Sequence, residues 1–294
     1  LLITKEFYLI VPVMYSYLGA TMQGDNACAG LTAEDRSDLE DAAETLLDAH
    51  NILIKFADLL GRKLGGTAGS ATEVLTKTFG IDVNEKVTGI AHDVLWAVQG
   101  WSAVGLDAEA AEERWKWFHR AAVGISGATA GFVGLPGLLW DLPVTTTIML
   151  RSIADIARSF DGEDIDADET RKACIEVFAF GGPSSEDDDA DAGYWLARSA
   201  LSHAALEQAI KFVAPRLGIV LTDKVLAQAV PIAGAVAGAG LNYIFIDYYQ
   251  QMARVHFAIR RVERRSSDAG RVRACFSATV RAVKERRALT RRSA

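Results

Sequence analysis

AAVGISGATAGFVGLPGLLWDLPVTTTIMLRSIADIARSF, residues 121–160, joins a glycine-notched apolar segment to a helix whose charges fall on one stripe. Gly124, Gly127, Gly131 and Gly134 recur at steps of three and four. In a helix that spacing puts every missing side chain on one face, where a second backbone can come close. Pro136 and Pro143 predict a short break, because proline lacks an amide donor and clashes with the preceding turn. Beyond the break, Asp141 suits the cap of a new helix with Pro143 in its first turn. Leu142, Met149, Ile153, Ile156 and Phe160 then keep the spacing of a buried seam, while Arg151, Asp155 and Arg158 share another face. The stretch describes helix packing, and it predicts an all-α, multi-helix bundle.

The same geometry returns downstream. Thr222 is expected to open the last long element, in which residues 225–246 carry no charge and contain Pro231, Gly234, Gly238 and Gly240. Gly234 and Gly238 repeat the small-residue face, so the two Gly/Ala-rich segments are expected to pack on each other at the centre of the bundle. Asp247, Gln250, Gln251, Arg254, His256, Arg260 and Arg261 line the continuing helix. Upstream, Thr32 followed by Asp35 predicts a helix start, and Leu39, Ala43, Leu46, His50, Leu53, Ala57 and Leu60 keep a buried rhythm until Gly61. A second amphipathic helix follows Asp82, with Val83, Val87, Ile90, Val94 and Val98 on its buried side. Asp107 begins a third, in which Trp115, Trp117 and Phe118 stand among cations. Glu169–Phe180 and Tyr194–Phe212 each read as one further helix. After Arg265 only Val272, Phe276 and Val280 offer a short apolar face.

LPGLLWDLPVTTTIMLRSIADIARSF (135–160), CIEVFAFGG (174–182) and DKVLAQAVPIAGAVAGAGLNYIFIDYYQQMARVHFAIRRVERR (223–265) resemble, in order, the signature segments of the EcsC family. That bacterial family is named after a protein encoded beside an ABC transporter, and no agreed activity comes with its name. The resemblance covers 31–265, leaving 1–30 as a poorly structured or non-native extension and 266–294 as a basic tail. Two positions depart from the family pattern: Asp141 often reads Glu there, and Tyr248 stands where many members carry His. An acid–base or metal role for a histidine at 248 is therefore absent here.

With 294 residues, half of them hydrophobic, the chain can bury a substantial core. Its net charge of −7 hides an asymmetry, since 161–169 and 186–191 are acidic and 254–292 is dominated by arginine. Cys28, Cys174 and Cys275 are widely spaced with no C-x-x-C, which argues against a disulfide framework or a zinc site and suits a reducing cytoplasm. The acidic loops lack the glycine and glutamate spacing of a calcium loop. Both uncharged stretches, about twenty residues each, meet the length for a membrane span, but their glycine and alanine content leaves buried or surface-embedded helices equally open.

No nucleophile elbow, Walker loop, dinucleotide fingerprint or H-E-x-x-H occurs. The first functional expectation is a cytoplasmic accessory protein, peripheral to or embedded at the inner membrane, acting through contacts. Its expected partners are a membrane surface, a membrane protein such as an ABC-type transporter, or a second copy of the chain. No specific nucleic acid, cofactor or metal is expected. The second is a hydrolase or phosphate- or lipid-binding site in which Asp141, Asp155, Asp247 and His256 supply acid–base groups and Arg151, Arg158, Gln251, Arg260 and Arg261 hold the ligand.

Overall fold

The computed structural model describes residues 27–64, 83–97, 134–180, 194–195, 198, 201, 204–229 and 234–293. In several helical stretches, among them 53–64, 134–144, 219–229 and 234–244, the backbone alone is described. The helices are α1 (Ala33–Leu64), α2 (Val83–Ala97), α3 (Gly134–Arg158), α4 (Asp168–Glu176), α5 (Leu206–Ala229), α6 (Gly234–Ser266) and α7 (Ala269–Ser293), with a 3-10 turn at Val177–Ala179. Among the described residues there is no strand, so the protein is all-α as its periodicity predicts. The chain divides into two compact units, one drawn from 1–48 and 254–294, the other from 49–253.

In the first unit α1 begins where the sequence places it. The Thr32 hydroxyl accepts from the Asp35 amide at 3.1 Å, and the Asp35 carboxylate accepts from the Thr32 amide at 3.3 Å and from its hydroxyl at 2.7 Å. This reciprocal cap satisfies amides that have no intrahelical acceptor. Replacing a cap threonine by alanine typically costs about 1 kcal/mol, so Thr32→Ala should lower the urea midpoint by that equivalent. Beyond the cap, Leu39, Ala42, Ala43, Leu46 and Leu47 are buried, as are Val255, Phe257, Ile259 and Val262 of α6 and Val272, Phe276, Val280 and Val283 of α7. Ser267 turns the chain between α6 and α7 with a positive φ of 55°. Asp268 then caps α7, its carboxylate accepting from the Arg271 amide at 2.9 Å.

In the second unit α2 packs chiefly along α5, α3 lies against α2 and α5, and α4 lies against α5 and α3. Gly218 of α5 sits at the tightest point of its crossing with α2, where a Cβ would stand 3.0 Å from the Thr88 Cα. Met149, Leu150, Ile153, Ala154 and Ala157 of α3 are buried, with Cys174, Val177 and Phe178 after them.

Several expectations are corrected. No break separates Pro136 from Pro143, because α3 runs through both and Asp141 lies inside it rather than at a cap. Pro136 falls in the first turn, where its missing amide would have had no acceptor; Pro143 removes only the bond to the carbonyl four residues back. Helix α5 likewise passes through Pro215, and Thr222 lies within it, the next helix starting at Gly234. The stretch from Tyr194 to Phe212 is not one helix, since Ala204 and Ala205 are non-helical before α5 begins. The buried line of α2 is Val87, Ala91 and Leu95, which leaves Ile90 and Val94 half-buried at its flank. Residues 269–293 form a full helix rather than a tail. Cys28 and Cys275, expected as thiols, form a disulfide with their Cα atoms 4.6 Å apart. Their separation of 247 residues explains the miss, since connectivity is set by the fold and not by spacing. The ground for expecting a reducing compartment goes with it. Gly124, Gly127 and Gly131, and the Trp115–Phe118 stretch, lie outside the described residues. Gly134, Gly234 and Gly238 fall in helices whose surroundings there are not described, so the docking of the glycine faces stays an expectation.

Candidate functional site

Two sets of polar side chains stand out, one in each unit. In the second unit the set joins α6 to its neighbours. Tyr248, fully enclosed, donates its hydroxyl to the Phe180 carbonyl at 2.6 Å, just after the 3-10 turn. Gln250 donates to the Ser152 hydroxyl at 2.6 Å, and Gln251 to the Asp247 carboxylate at 2.7 Å one turn back. Tyr249 packs against Phe178 with ring centroids 5.0 Å apart. Burial pushes the pKa of both tyrosines well above the usual value; for Tyr249 the Tyr248 charge adds to it. Both remain neutral, and the Tyr248 donor fixes helix register. Tyr248 thus takes a structural role at the position where a histidine would have suggested acid–base chemistry.

In the first unit the carboxylates of α1 flank its apolar stripe on two sides and meet arginines on both. On one side Arg261 pairs with Asp38 at 2.7 Å, and Arg265 with Glu34 at 3.1 Å and Asp38 at 3.4 Å. On the other, Arg286 meets Glu40 at 2.8 Å and Glu44 at 2.5 Å, and Arg287 meets Asp48 at 2.6 Å. The hydrogen bond to Glu40, opposed by desolvation and helped by the charges of Glu40 and Glu44, raises the Arg286 pKa. Exposed pairs of this kind contribute roughly 0–1 kcal/mol each. Their larger effect is to neutralise Arg286 and Arg287 of α7.

The residues proposed for a hydrolytic site are placed as follows. Asp155 is exposed and holds Arg158 at 3.3 Å. Arg151 is half-buried on the same helix, and Asp141 lies on α3 where the backbone alone is described. Asp247 is occupied by Gln251, and Arg261 by Asp38; Arg260 is half-buried. His256 is fully buried with its ring edge-on to Phe257 at 5.4 Å. Asp247 and His256 both lie on α6, nine residues apart in sequence. No group of three or more His, Cys, Asp or Glu among the described residues could hold a metal ion. No helix among them is long and apolar enough to cross a membrane.

The sequence reading missed the carboxylate rows of α1. Glu40, Glu44 and Asp48 at steps of four were the available signal, one exposed face of a helix carrying a single charge.

These features define an all-α protein in which Tyr248, Gln250 and the carboxylates of α1 join helices to one another. The family model of the EcsC protein family matches residues 98–262, more than half of the chain, and the protein belongs to that family. The match is narrower than the 31–265 of the sequence resemblance. No curated protein and no solved structure matches the chain.

Proposed function

We propose that the protein is an accessory factor that acts through contacts at an anionic membrane surface, using the outward face of α7. The supporting observation is the division of the α7 cations into two arcs. Arg286 and Arg287 point inward to α1. Arg273, Arg281, Arg291 and Arg292 are exposed, and with the half-buried Lys284 they occupy about 100° of the helix circumference by its 3.6-residue period. Between them lie only the small Gly270, Ala274, Ser277 and Ala288. A face with cations and no large apolar side chain adsorbs to charged headgroups and does not insert. The absence of aromatic rings on this arc removes the stacking platform that single-stranded nucleic acid uses. A chain of net charge −7 would meet a negative surface through this face in preference to its acidic regions. A membrane-protein partner, such as the transporter the family name suggests, would be met on that same surface.

Each cation near an anionic leaflet contributes about 1 kcal/mol, so removing three should weaken binding about 100-fold. Sedimentation with phosphatidylcholine vesicles, with and without phosphatidylserine, measures this. The full chain should bind only the anionic vesicles and dissociate near 1 M salt, where the screening length is about 3 Å. Arg281→Gln/Arg291→Gln/Arg292→Gln should bind far more weakly. Equal binding to neutral vesicles, or a triple variant that binds like the parent, overturns the proposal; tighter binding to RNA or duplex DNA would replace it with a nucleic-acid partner.

A further inference from the structure

The turn that carries Cys28 is built onto α7. Cys28 opens a single turn, with the Leu31 amide donating to its carbonyl at 3.2 Å, and Gly30 follows at a positive φ of 86°. A side chain at Gly30 would displace the flexible Arg271 guanidinium, and the positive φ calls for glycine. Arg271 closes over the turn and donates to the Ala29 carbonyl at 3.0 Å. Leu31 is buried, and the reciprocal Thr32–Asp35 cap starts α1 immediately afterwards. Residues 27–31 are thus tied to α7 by the exposed Arg271–Ala29 hydrogen bond and by the bond between Cys28 and Cys275, with Leu31 buried beside them.

The two sulfurs are not equally placed. Cys275 is fully buried in the middle of an α7 turn, whereas Cys28 lies in a one-turn segment and keeps 8% of its surface exposed. Short segments with few buried contacts open locally at a small fraction of the cost of global unfolding. An incoming thiolate thus reaches Cys28 by a local opening, while α1, α6 and α7 keep their core and ion pairs. Cys275 also lies across the helix from Arg281, six residues on and about 120° away by the helical period, so the bond fastens α7 from the side away from its outward arginines.

We infer that Cys28–Cys275 is a redox-responsive clasp: thiol–disulfide exchange with a dithiol decides whether the turn at residues 27–31 is fastened to α7. In opening, a thiolate of the dithiol attacks the Cys28 sulfur and Cys275 leaves as a thiolate that takes up a proton. The second thiol of the dithiol then displaces Cys28 from the mixed disulfide. Two electrons and two protons have moved to the protein, giving two cysteine thiols and an oxidised dithiol. A disulfide oxidant reverses the exchange. The inference does not depend on membrane contact.

The test uses the full chain, purified and treated with oxidised glutathione, then titrated with dithiothreitol in native buffer, alkylated and mapped by peptide mass. Cys174, buried and outside the disulfide, is the internal reference. Cys28 should be alkylated at a dithiol concentration that leaves the buried Cys275 and Cys174 protected until denaturation and the helical circular dichroism unchanged. Reduction should lower the Tm by about 5–10 °C, as expected for a bond closing a long loop. Cys28→Ser and Cys275→Ser should melt at the reduced value and ignore the reductant. Free Cys28 and Cys275 after glutathione treatment would show that no bond forms. Exchange that appears only together with Cys174 labelling would make the bond a static staple. Either result overturns the clasp, and both are read on the parent protein, so the test stands even if a serine variant fails to fold.

Discussion

Gly218→Ala should destabilise the second unit by about 1–3 kcal/mol, although alanine is the better helix former by up to about 1 kcal/mol. A Cβ at 218 would stand 3.0 Å from the Cα of Thr88 and 3.1 Å from its Cβ. The first of these is backbone of α2, which cannot rotate away, so α2 and α5 must separate along the most extensive contact of the unit. Gly89, on α2 itself, has nothing within 4 Å of its Cβ position among the described residues. Gly89→Ala should therefore gain the ordinary helix-propensity benefit, roughly 0.5–1 kcal/mol. The two variants make the same chemical change on helices that touch, and their denaturant midpoints should move in opposite directions. A Gly218→Ala protein at least as stable as the parent would mean that α2 and α5 can separate at this crossing without cost.

The comparison shows where a sequence reading works and where it stops. Periodicity found most helices because burial repeats with the helical period, and Thr32 and Asp35 announce α1 through chemistry confined to four neighbouring residues. The close helix approach was harder to locate. Glycines at regular steps drew attention to Gly124–Gly134 and Gly234–Gly238, yet the tight crossing among the described residues depends on a single glycine, Gly218, opposite a threonine. A crossing point is fixed by two helices together, and one glycine in an ordinary amphipathic pattern carries no mark of it. Prolines misled for a related reason. Pro143 and Pro215 each remove one backbone bond, and α3 and α5 run on through them.

The candidate site was legible in kind and not in grouping. Asp247, Gln251, Arg158 and Asp155 are polar residues engaged with one another, as their spacing of three or four along a helix implies. The longer-range pairings, Arg286 with Glu40 and Glu44 and Cys28 with Cys275, join positions more than two hundred residues apart. Only the folding of α7 against α1 creates them. Reading 266–294 as a tail hid both at once, because its inward face mixes Val272, Cys275, Phe276, Val280 and Val283 with arginines whose partners are far away in sequence.

Stability should hold level on the alkaline side up to about pH 10 and then fall steeply, and Tyr248 and Tyr249 identify the cause. Burial disfavours their phenolate forms, so both folded pKa values lie above the unfolded value of about 10. A group whose pKa is raised on folding contributes stability that is fully present below its unfolded pKa and is lost as pH rises toward the folded one. Above pH 10 the unfolded chain releases these protons and the native protein retains them. Each tyrosine then removes about 1.4 kcal/mol per pH unit, close to 3 kcal/mol per unit for the pair, against a total stability of roughly 5–15 kcal/mol. Urea unfolding from pH 8 to 12 measures the slope. Tyr248→Phe should halve it, and should also lower stability at neutral pH by about 1–3 kcal/mol, since the Phe180 carbonyl loses its buried donor. Tyr249→Phe should halve the slope with little neutral-pH cost, because its hydroxyl has no hydrogen-bond partner among the described residues. An alkaline slope unaltered in the double variant would place the titrating groups elsewhere in the chain.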